Sequence, residues 1–214
     1  MLNSYNQHQY WDEVAHKKNF NQAINWEFLQ AEVPNNAAIL DFGCGYGRLI
    51  NELITQGYQD VKGIDISEKM IERGLTENPE LNLATFDGKR IPYEENSFDA
   101  ILVFAVLTSI PQDKDQLDIL TEIKRVLKPN GLLYISDLLI NTDERNIARY
   151  EEQKEGPYGT FILPEGVNLR HHTLEYMNAV VFNGYNVIYE HPYVVTTMNG
   201  NTSNAIQMAG RLIK

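Results

Sequence analysis

The stretch ILDFGCGYGR, residues 39–48, decides the fold. Residues 37–42 form a short apolar run that predicts a buried strand, and residues 48–55 show helical spacing after the glycines. Glycines let a backbone take up positive φ and approach a ligand closely. The helix N-terminus directs free N–H groups at an electron-rich group. The stretch therefore predicts a ligand site at the carboxyl end of the first strand.

The glycine spacing separates two kinds of ligand. A dinucleotide-binding turn has the pattern G-x-G-x-x-G or Ala, whereas this turn runs G-x-G-x-G with Arg48 at the third position of that pattern. Asp41 lies two residues before Gly43, and its carboxylate would repel a pyrophosphate but attract an ammonium or a sulfonium. The turn thus favours a cationic ligand over a nicotinamide cofactor. The alternative role of Asp41 is a cap for the following helix.

Strands and helices alternate on the C-terminal side of this turn. The further strands predicted there are residues 61–65, 81–86, 97–107 and 132–139. Their alternation with helices, one of them capped by Ser67, predicts βαβ units and a parallel sheet. Residues 186–195 and 205–213 predict two late strands, which should pair antiparallel because no helix fits between them.

Five segments in order resemble the motifs of class I S-adenosylmethionine-dependent methyltransferases. They are ILDFGCGYGR (39–48), GIDIS (63–67) with Met70, FDG (86–88), IPY followed by SFD (91–93 and 97–99), and LKPNG (127–131), where Asn130 replaces the commoner Gly. The resemblance implies an α/β, Rossmann-like three-layer sandwich with a seven-stranded, mostly parallel sheet in the order 3-2-1-4-5-7-6, the last strand antiparallel. It also implies S-adenosyl-L-methionine as cofactor and a single methyltransferase domain over residues 1–214.

The resemblance also assigns cofactor contacts. Asp65 holds both ribose hydroxyls, Ile66 packs on the adenine, and Asp87 meets the adenine amino group, while the backbone of Phe104 faces the methionine amino group. The full predicted set is Asp41, Gly43, Gly45, Asp65, Ile66, Met70, Asp87, Gly88 and Phe104. A carboxylate suits a vicinal diol because it can accept two hydrogen bonds. The alternatives are a helix N-cap role for Asp65 and a plain turn role for Asp87.

Such a cofactor demands little catalytic machinery from the protein. A sulfonium is already an activated methyl donor, so we expect in-line displacement without a covalent intermediate or a metal. A base is needed only when the acceptor is protonated, and His171 and Asp137 are the weak candidates for that role. Cys44 is interpreted as a small side chain in a tight turn rather than a nucleophile.

The acceptor is predicted to be a small molecule, methylated on O, N or S. The 18 basic and 29 acidic residues give a net charge of −11, which makes nucleic acid an unfavourable partner. Residues 105–111 read AVLTSIP, so the Asn/Asp-Pro-Pro-Tyr/Phe motif of base-amino methylation is missing there. The alternatives are a non-enzymatic module that binds the cofactor, a protein or RNA methyltransferase, and an oxidoreductase that uses a nicotinamide cofactor.

Two segments outside the motifs are expected to build the acceptor pocket. Residues 1–34 are predicted as an N-terminal helical lid carrying Tyr10 and Trp11, with packing on the sheet edge as the alternative role of these rings. Residues 141–172 form a polar excursion without clear periodicity, and its predicted substrate residues are Tyr158, Arg170 and His171. The adjacent His171 and His172 are not expected to share a metal, because neighbours on an extended segment point in opposite directions.

The cellular compartment is predicted from features that the sequence lacks. Cys44 is the sole cysteine, so an intramolecular disulfide cannot form. The first residues are polar, and no apolar run approaches the ~20 residues of a membrane helix. We expect a cytoplasmic protein without a membrane partner, and the oligomeric state is left open.

Overall fold

A computed structural model describes residues 5–154 and 156–213 of the chain, with side chains from Gln7 onward. Its centre is a seven-stranded sheet in the order β3-β2-β1-β4-β5-β9-β8. The strands are β1 (Ala38–Phe42), β2 (Asp60–Asp65), β3 (Leu83–Thr85), β4 (Phe98–Phe104), β5 (Leu127–Leu138), β8 (Tyr185–Thr196) and β9 (Thr202–Leu212). β6 (Thr160–Ile162) and β7 (Asn168–Arg170) form a separate antiparallel hairpin.

The predicted topology is confirmed. Without the small hairpin, the observed order reduces to 3-2-1-4-5-7-6. β1 pairs parallel with β2 and β4, whereas β9 pairs antiparallel with β5 and β8. The last strand therefore runs against the other six.

Helices cover both faces of this sheet. They are α1 (Tyr5–Val14), α2 (Trp26–Glu32), α3 (Arg48–Thr55), α4 (Glu68–Glu77), α5 (Asp113–Val126), α6 (Glu144–Glu152) and α7 (Leu174–Tyr176), which continues as a π-helical turn over Met177–Val181. The bounds of α3 are those predicted from its spacing. Ser67 caps α4, because its Oγ accepts a hydrogen bond from the Met70 N–H at 3.1 Å.

The strands alternate their side chains between two apolar layers. Leu40 and Ile101 face a core layer that includes Ile123 of α5, whereas Ile39 and Leu102 face the layer that includes Leu53 of α3. Because both faces of the central strands are buried, their sequences are apolar throughout instead of alternating.

Four segments differ from the sequence-based expectation. The loose helical pattern of residues 10–33 is interrupted, since α1 ends at Val14 and α2 begins only at Trp26. The excursion at residues 141–172 is not irregular throughout but contains α6, β6 and β7. β4 stops at Phe104 because Ala105 takes up a φ of 57°. The LKPNG turn is a bulge within β5, where Leu127 pairs with Phe98 and Leu132 already pairs with Ala100.

The N-terminal segment lies across the glycine turn of the sheet. We call residues 7–22 the strap. The first four residues of the predicted lid, together with Glu155 and Lys214, lie outside the described residues. Over the part of the chain that is described, no helix combines the length and the apolar character needed to cross a bilayer.

Candidate active site

The carboxyl ends of the central strands open into one large cavity. Its volume is about 1960 Å³, which exceeds the ~300–1,000 Å³ of ordinary ligand pockets and leaves space for a second molecule beside a cofactor. The predicted residues on its wall are Asp41, Gly43, Asp65, Ile66, Met70, Asp87, Gly88, Phe104, Tyr10, Trp11 and His171. Gly45, Asp137, Tyr158 and Arg170 do not line it.

The glycine turn brings backbone and lid into close contact. Gly43 and Cys44 both donate their N–H groups to the carbonyl of Ile64, at 2.8 and 3.0 Å. Gly45 has a φ of 55°, and a Cβ there would lie 2.3 Å from Cε2 of Phe20. A side chain at this position would therefore force the Phe20 ring of the strap to shift.

Asp65 is fixed by two backbone donors at the end of β2. Its Oδ2 accepts from the Gly45 N–H and its Oδ1 from the Ser67 N–H, both at 2.8 Å. Burial raises the pKa of this carboxyl, while the same two N–H groups oppose the rise. Each oxygen retains a lone pair for a further donor. The capping role that the sequence left open for Asp65 belongs to Ser67.

Asp41 is a buried acid that lacks a partner on one oxygen. Its side chain is 1% exposed, and Oδ2 has no hydrogen-bond partner among the described residues. Burial raises the pKa of Asp41 to about 7, which the charge of Arg48 partly offsets. It does not cap α3, whose N-cap position is Gly47 without a side-chain bond. A cationic ligand would compensate the cost of this unpaired carboxyl, so the residues present fit S-adenosylmethionine.

Asp87 serves a turn and borders the cavity at the same time. Its Oδ1 accepts from the N–H groups of Lys89 and Arg90, at 2.9 and 3.2 Å. These bonds lower the pKa of the exposed carboxyl. The turn role does not compete with a ligand, because both bonds fall on one oxygen.

The strap is tied down by residues that sequence reasoning missed. Asp12 Oδ1 accepts from the hydroxyl of Ser67 at 2.6 Å and from the N–H of Lys69 at 3.2 Å. Arg73 Nη1 donates to the carbonyls of residues 15 and 18, each at 2.9 Å, and its guanidinium lies 3.8 Å from the centre of the Tyr46 ring. No local pattern in the sequence signals these contacts, since the hydrogen bonds to the strap join residues more than 50 positions apart.

Two residues predicted for the acceptor lie outside the cavity. Tyr158 is 60% exposed on the surface of the excursion. Arg170 is buried and forms an ion pair through Nη1 with Asp113 Oδ1 at 2.6 Å, stacked over Tyr176. This ion pair connects β7 to the start of α5, so Arg170 has a structural role.

His171 lies in the cavity wall with a fixed tautomer. Asn141 orients the network, because its Oδ1 accepts from the Asn204 N–H and its Nδ2 donates to the Leu139 carbonyl. Nδ2 also faces His171 Nδ1 at 3.2 Å, and the Tyr150 hydroxyl lies 2.6 Å from the same atom. Because the Asn141 amide nitrogen can only donate, we assign Nδ1 as an acceptor and the ring proton to Nε2.

The ionisation of His171 follows from the same surroundings. Burial and the nearby Arg149 lower the pKa of the ring to about 3. The neutral ring presents Nε2–H as a donor, which opposes the predicted role of general base. His172 turns the other way and meets Gln116 Nε2 at 2.8 Å, as expected for neighbours on an extended segment.

Asp137 supports the cavity from behind. It is fully buried, and its Oδ2 accepts from the Thr108 N–H at 3.2 Å while Oδ1 accepts from the Leu138 N–H at 2.7 Å. Burial raises its pKa to about 7. Asp137 thus holds the short 3₁₀ turn at Leu107–Ser109, whose Thr108 and Ser109 line the cavity.

Comparison with known proteins gives this geometry a family. Residues 40–135 match the family described as "Methyltransferase domain". The chain is 33% identical over 129 residues to "Methyltransferase GfsG" of Streptomyces halstedii, covering 56% of this chain and 45% of that protein. It is 27% identical over 146 residues to "tRNA U34 carboxymethyltransferase" of Pseudoalteromonas atlantica, covering 65% and 44%. The chain spans about half the length of these curated relatives.

A solved structure matches over most of the chain. It is a SAM-dependent methyltransferase from Methanosarcina mazei with a TM-score of 0.81 and 25% identity, covering 89% of this chain and 99% of that one. The sheet order and the cavity at the carboxyl ends of the strands define a Rossmann-like protein. These matches support a class I S-adenosylmethionine-dependent methyltransferase, as the motifs predicted, with S-adenosylmethionine as its cofactor.

Proposed function

We propose that this protein transfers the methyl group of S-adenosylmethionine to an O, N or S atom of a small molecule. The observation that carries the proposal is the presence of two acids, Asp41 and Asp65, near the ends of adjacent strands. Both lie on the wall of a cavity that is larger than one cofactor needs. The match covers less than half of these curated relatives, so methyltransferase activity is a proposal for this chain.

Different residues of the chain bind the different parts of the cofactor. Asp65 holds the ribose hydroxyls with the lone pairs that its backbone donors leave free, and Ile66 and Gly88 flank the adenine beside Asp87. Asp41 and the backbone of Phe104 meet the ammonium and sulfonium end. When bound, the cofactor supplies an activated methyl group. The protein contributes orientation and a water-poor cleft, and orientation in ideal intramolecular reactions is worth about 7–11 kcal/mol.

The closure of the cavity favours a small acceptor over a macromolecule. Gln7 on α1 donates its side-chain amide to the carbonyl of Asn168 on β7, so the strap and the β6–β7 hairpin meet over the cavity. A folded protein or RNA would have to separate them. The net charge of −11 also opposes a polyanionic partner. Because one relative is a tRNA carboxymethyltransferase, an RNA acceptor is the first alternative. A module that binds the cofactor without turnover is the second alternative.

Two measurements test the proposal. Thermal shift should show stabilisation by S-adenosylhomocysteine and none by NADH, because a pyrophosphate would meet Asp41. Turnover of labelled S-adenosylmethionine should then appear with a metabolite pool from which protein and RNA have been removed. Absence of S-adenosylhomocysteine binding contradicts the cofactor site, and turnover only with the macromolecular fraction contradicts the small acceptor.

A further inference from the structure

One arginine on the cavity wall stands apart from the others. Among residues 5–154 and 156–213, the arginines shielded from solvent form ion pairs with carboxylates, with one exception. These pairs are Arg48–Glu52, Arg73–Glu77, Arg125–Glu122, Arg170–Asp113 and Arg211–Glu32. Arg149, which is half-buried and lines the cavity, forms no ion pair within the same part of the chain.

The surroundings of Arg149 stabilise its charge but offer its donors no carboxylate among the described residues. Its guanidinium lies 3.5 Å from the centre of the Phe161 ring, and it occupies the last turn of α6, where the helix dipole favours a cation. Neither feature accepts an N–H. Its polar neighbour is the neutral Tyr150, whose hydroxyl accepts a hydrogen bond from the guanidinium, and Nε is buried without a partner among the described residues. Burial lowers the pKa of Arg149, while Tyr150 and the charge of Asp143 oppose the fall.

A second donor lies on the same wall. The Nε2–H of neutral His171 follows from its tautomer, and the His171 ring packs at 4.9 Å from the Phe161 ring that also carries Arg149. This wall belongs to the excursion after β5, whereas the glycine turn and Asp65 lie at β1 and β2. Arg149, which has no carboxylate partner among the described residues, and His171 are therefore on the side of the cavity that the cofactor residues leave free.

We infer that Arg149 and His171 form an anion subsite for the methyl acceptor, which carries a carboxylate. A guanidinium binds a carboxylate through paired N–H···O bonds, and one such group with a neutral N–H matches a single negative charge better than a phosphate. Phe161 adds an apolar face beside it. The inference rests on the proposed function, because it assigns the acceptor's half of the same cavity.

The test compares acids with their neutral isosteres. A panel of small carboxylates, such as benzoate, 3-phenylpropanoate and hexanoate, is titrated against the corresponding primary amides by ligand-observed NMR, with S-adenosylhomocysteine saturating. We expect the acids to bind preferentially, and Arg149→Gln to reduce that preference about tenfold or more, as for a hydrogen bond to a charged group. Lys114→Gln is the matched control, because Lys114 lines the cavity but is already paired with Asp118.

Two further results distinguish a failure of the anion subsite from a failure of the proposed cofactor site. Arg149→Lys, which keeps the charge beside Phe161, should retain part of the acid preference, and thermal melts verify that each variant is folded. An equal affinity for acids and amides, or a preference unchanged in Arg149→Gln, overturns the subsite while leaving the cofactor site intact. A loss of S-adenosylhomocysteine affinity in Arg149→Gln also overturns it, since the guanidinium would then serve the cofactor's own carboxylate.

Discussion

Asp65 accepts a hydrogen bond from the backbone of Gly45 at 2.8 Å, which joins the end of β2 to the glycine turn after β1. The two halves of the proposed cofactor site thereby form a single unit, since the turn orients the acid and the acid fixes the turn. Gly45 itself does not line the cavity, so its part in binding is exerted through Asp65 and through its contact with Phe20.

The first prediction concerns the ribose carboxylate. Asp65→Ala should weaken S-adenosylhomocysteine binding by on the order of 1–3 kcal/mol, because charge-assisted bonds to the ribose are lost. Isothermal titration calorimetry measures this directly. Asp60→Ala on the same strand is the control, since Asp60 is exposed and pairs only with Lys62. Equal affinity in the wild type and Asp65→Ala would refute the ribose assignment.

The second prediction concerns the closure of the strap. Arg73→Met should loosen residues 15–22, because Arg73 donates to the carbonyls of Ala15 and Lys18 and to Asn19 Oδ1. Amide hydrogen exchange of this segment should accelerate ~10–100-fold, with exchange in the sheet unchanged. S-adenosylhomocysteine affinity should fall as well, because the strap carries the cavity wall over the glycine turn.

A nearby residue supplies the comparison for Arg73. Lys69→Met removes a cation from the same helix, but Lys69 Nζ contacts only Glu72 at the surface. Exchange of the strap should be unaffected in this variant. Similar acceleration in both variants would mean that general charge on α4, and not the latch formed by Arg73, holds the segment.

The third prediction is a pH dependence of stability. Burial raises the pKa of Asp41 from its ordinary value of 3.8 to about 7, so the folded state holds a proton that the unfolded state has already released. The unfolded chain then binds fewer protons between about pH 4 and 7, and the free energy of unfolding falls as pH rises through that window, with a slope approaching 1.4 kcal/mol per pH unit. Above pH 7 this contribution becomes constant.

Asp137 adds a second slope of the same sign, because its pKa is also raised to about 7. Urea titrations of the ligand-free protein between pH 5 and 8 should therefore show a shallower slope in Asp41→Asn than in the wild type, and the raised pKa values of Asp137 and Asp65 account for the slope that remains. The same variant should be more stable than the wild type at pH 8 and should bind S-adenosylhomocysteine more weakly. A slope identical to that of the wild type would show that Asp41 is ionised throughout.

The fold was predictable because its determinants are local. The glycine turn, the cap at Ser67 and the apolar strands lie within short stretches of chain, and sequential βαβ units admit one handedness. Hence α3 and the strand order agree with expectation. The strap differs because the path of residues 15–25 is set by Arg73 and by the fit of Phe20 against Gly45, and neither contact leaves a periodic signal.

The acceptor side was less predictable for a related reason. Tyr158 and Arg170 attracted attention as aromatic and charged residues of a polar excursion, yet one is exposed and the other is paired with Asp113. Nothing in the sequence distinguishes Arg149 from the other charged residues of this excursion. Its significance depends on the absence of a carboxylate partner among the described residues, which only the three-dimensional arrangement reveals.

The last prediction concerns the proton on His171. Since the Tyr150 hydroxyl and the Asn141 amide both face Nδ1, the ring should be the Nε2–H tautomer, and its pKa of about 3 should keep it neutral at all working pH values. Nitrogen-15 NMR should show an unprotonated Nδ1 and no titration of this ring between pH 5 and 8. Tyr150→Phe should shift the Nδ1 resonance, while Tyr158→Phe, on the exposed Tyr158, should not. A ring that titrates near pH 6.5 would restore His171 as a candidate general base and remove it as a donor to a bound carboxylate.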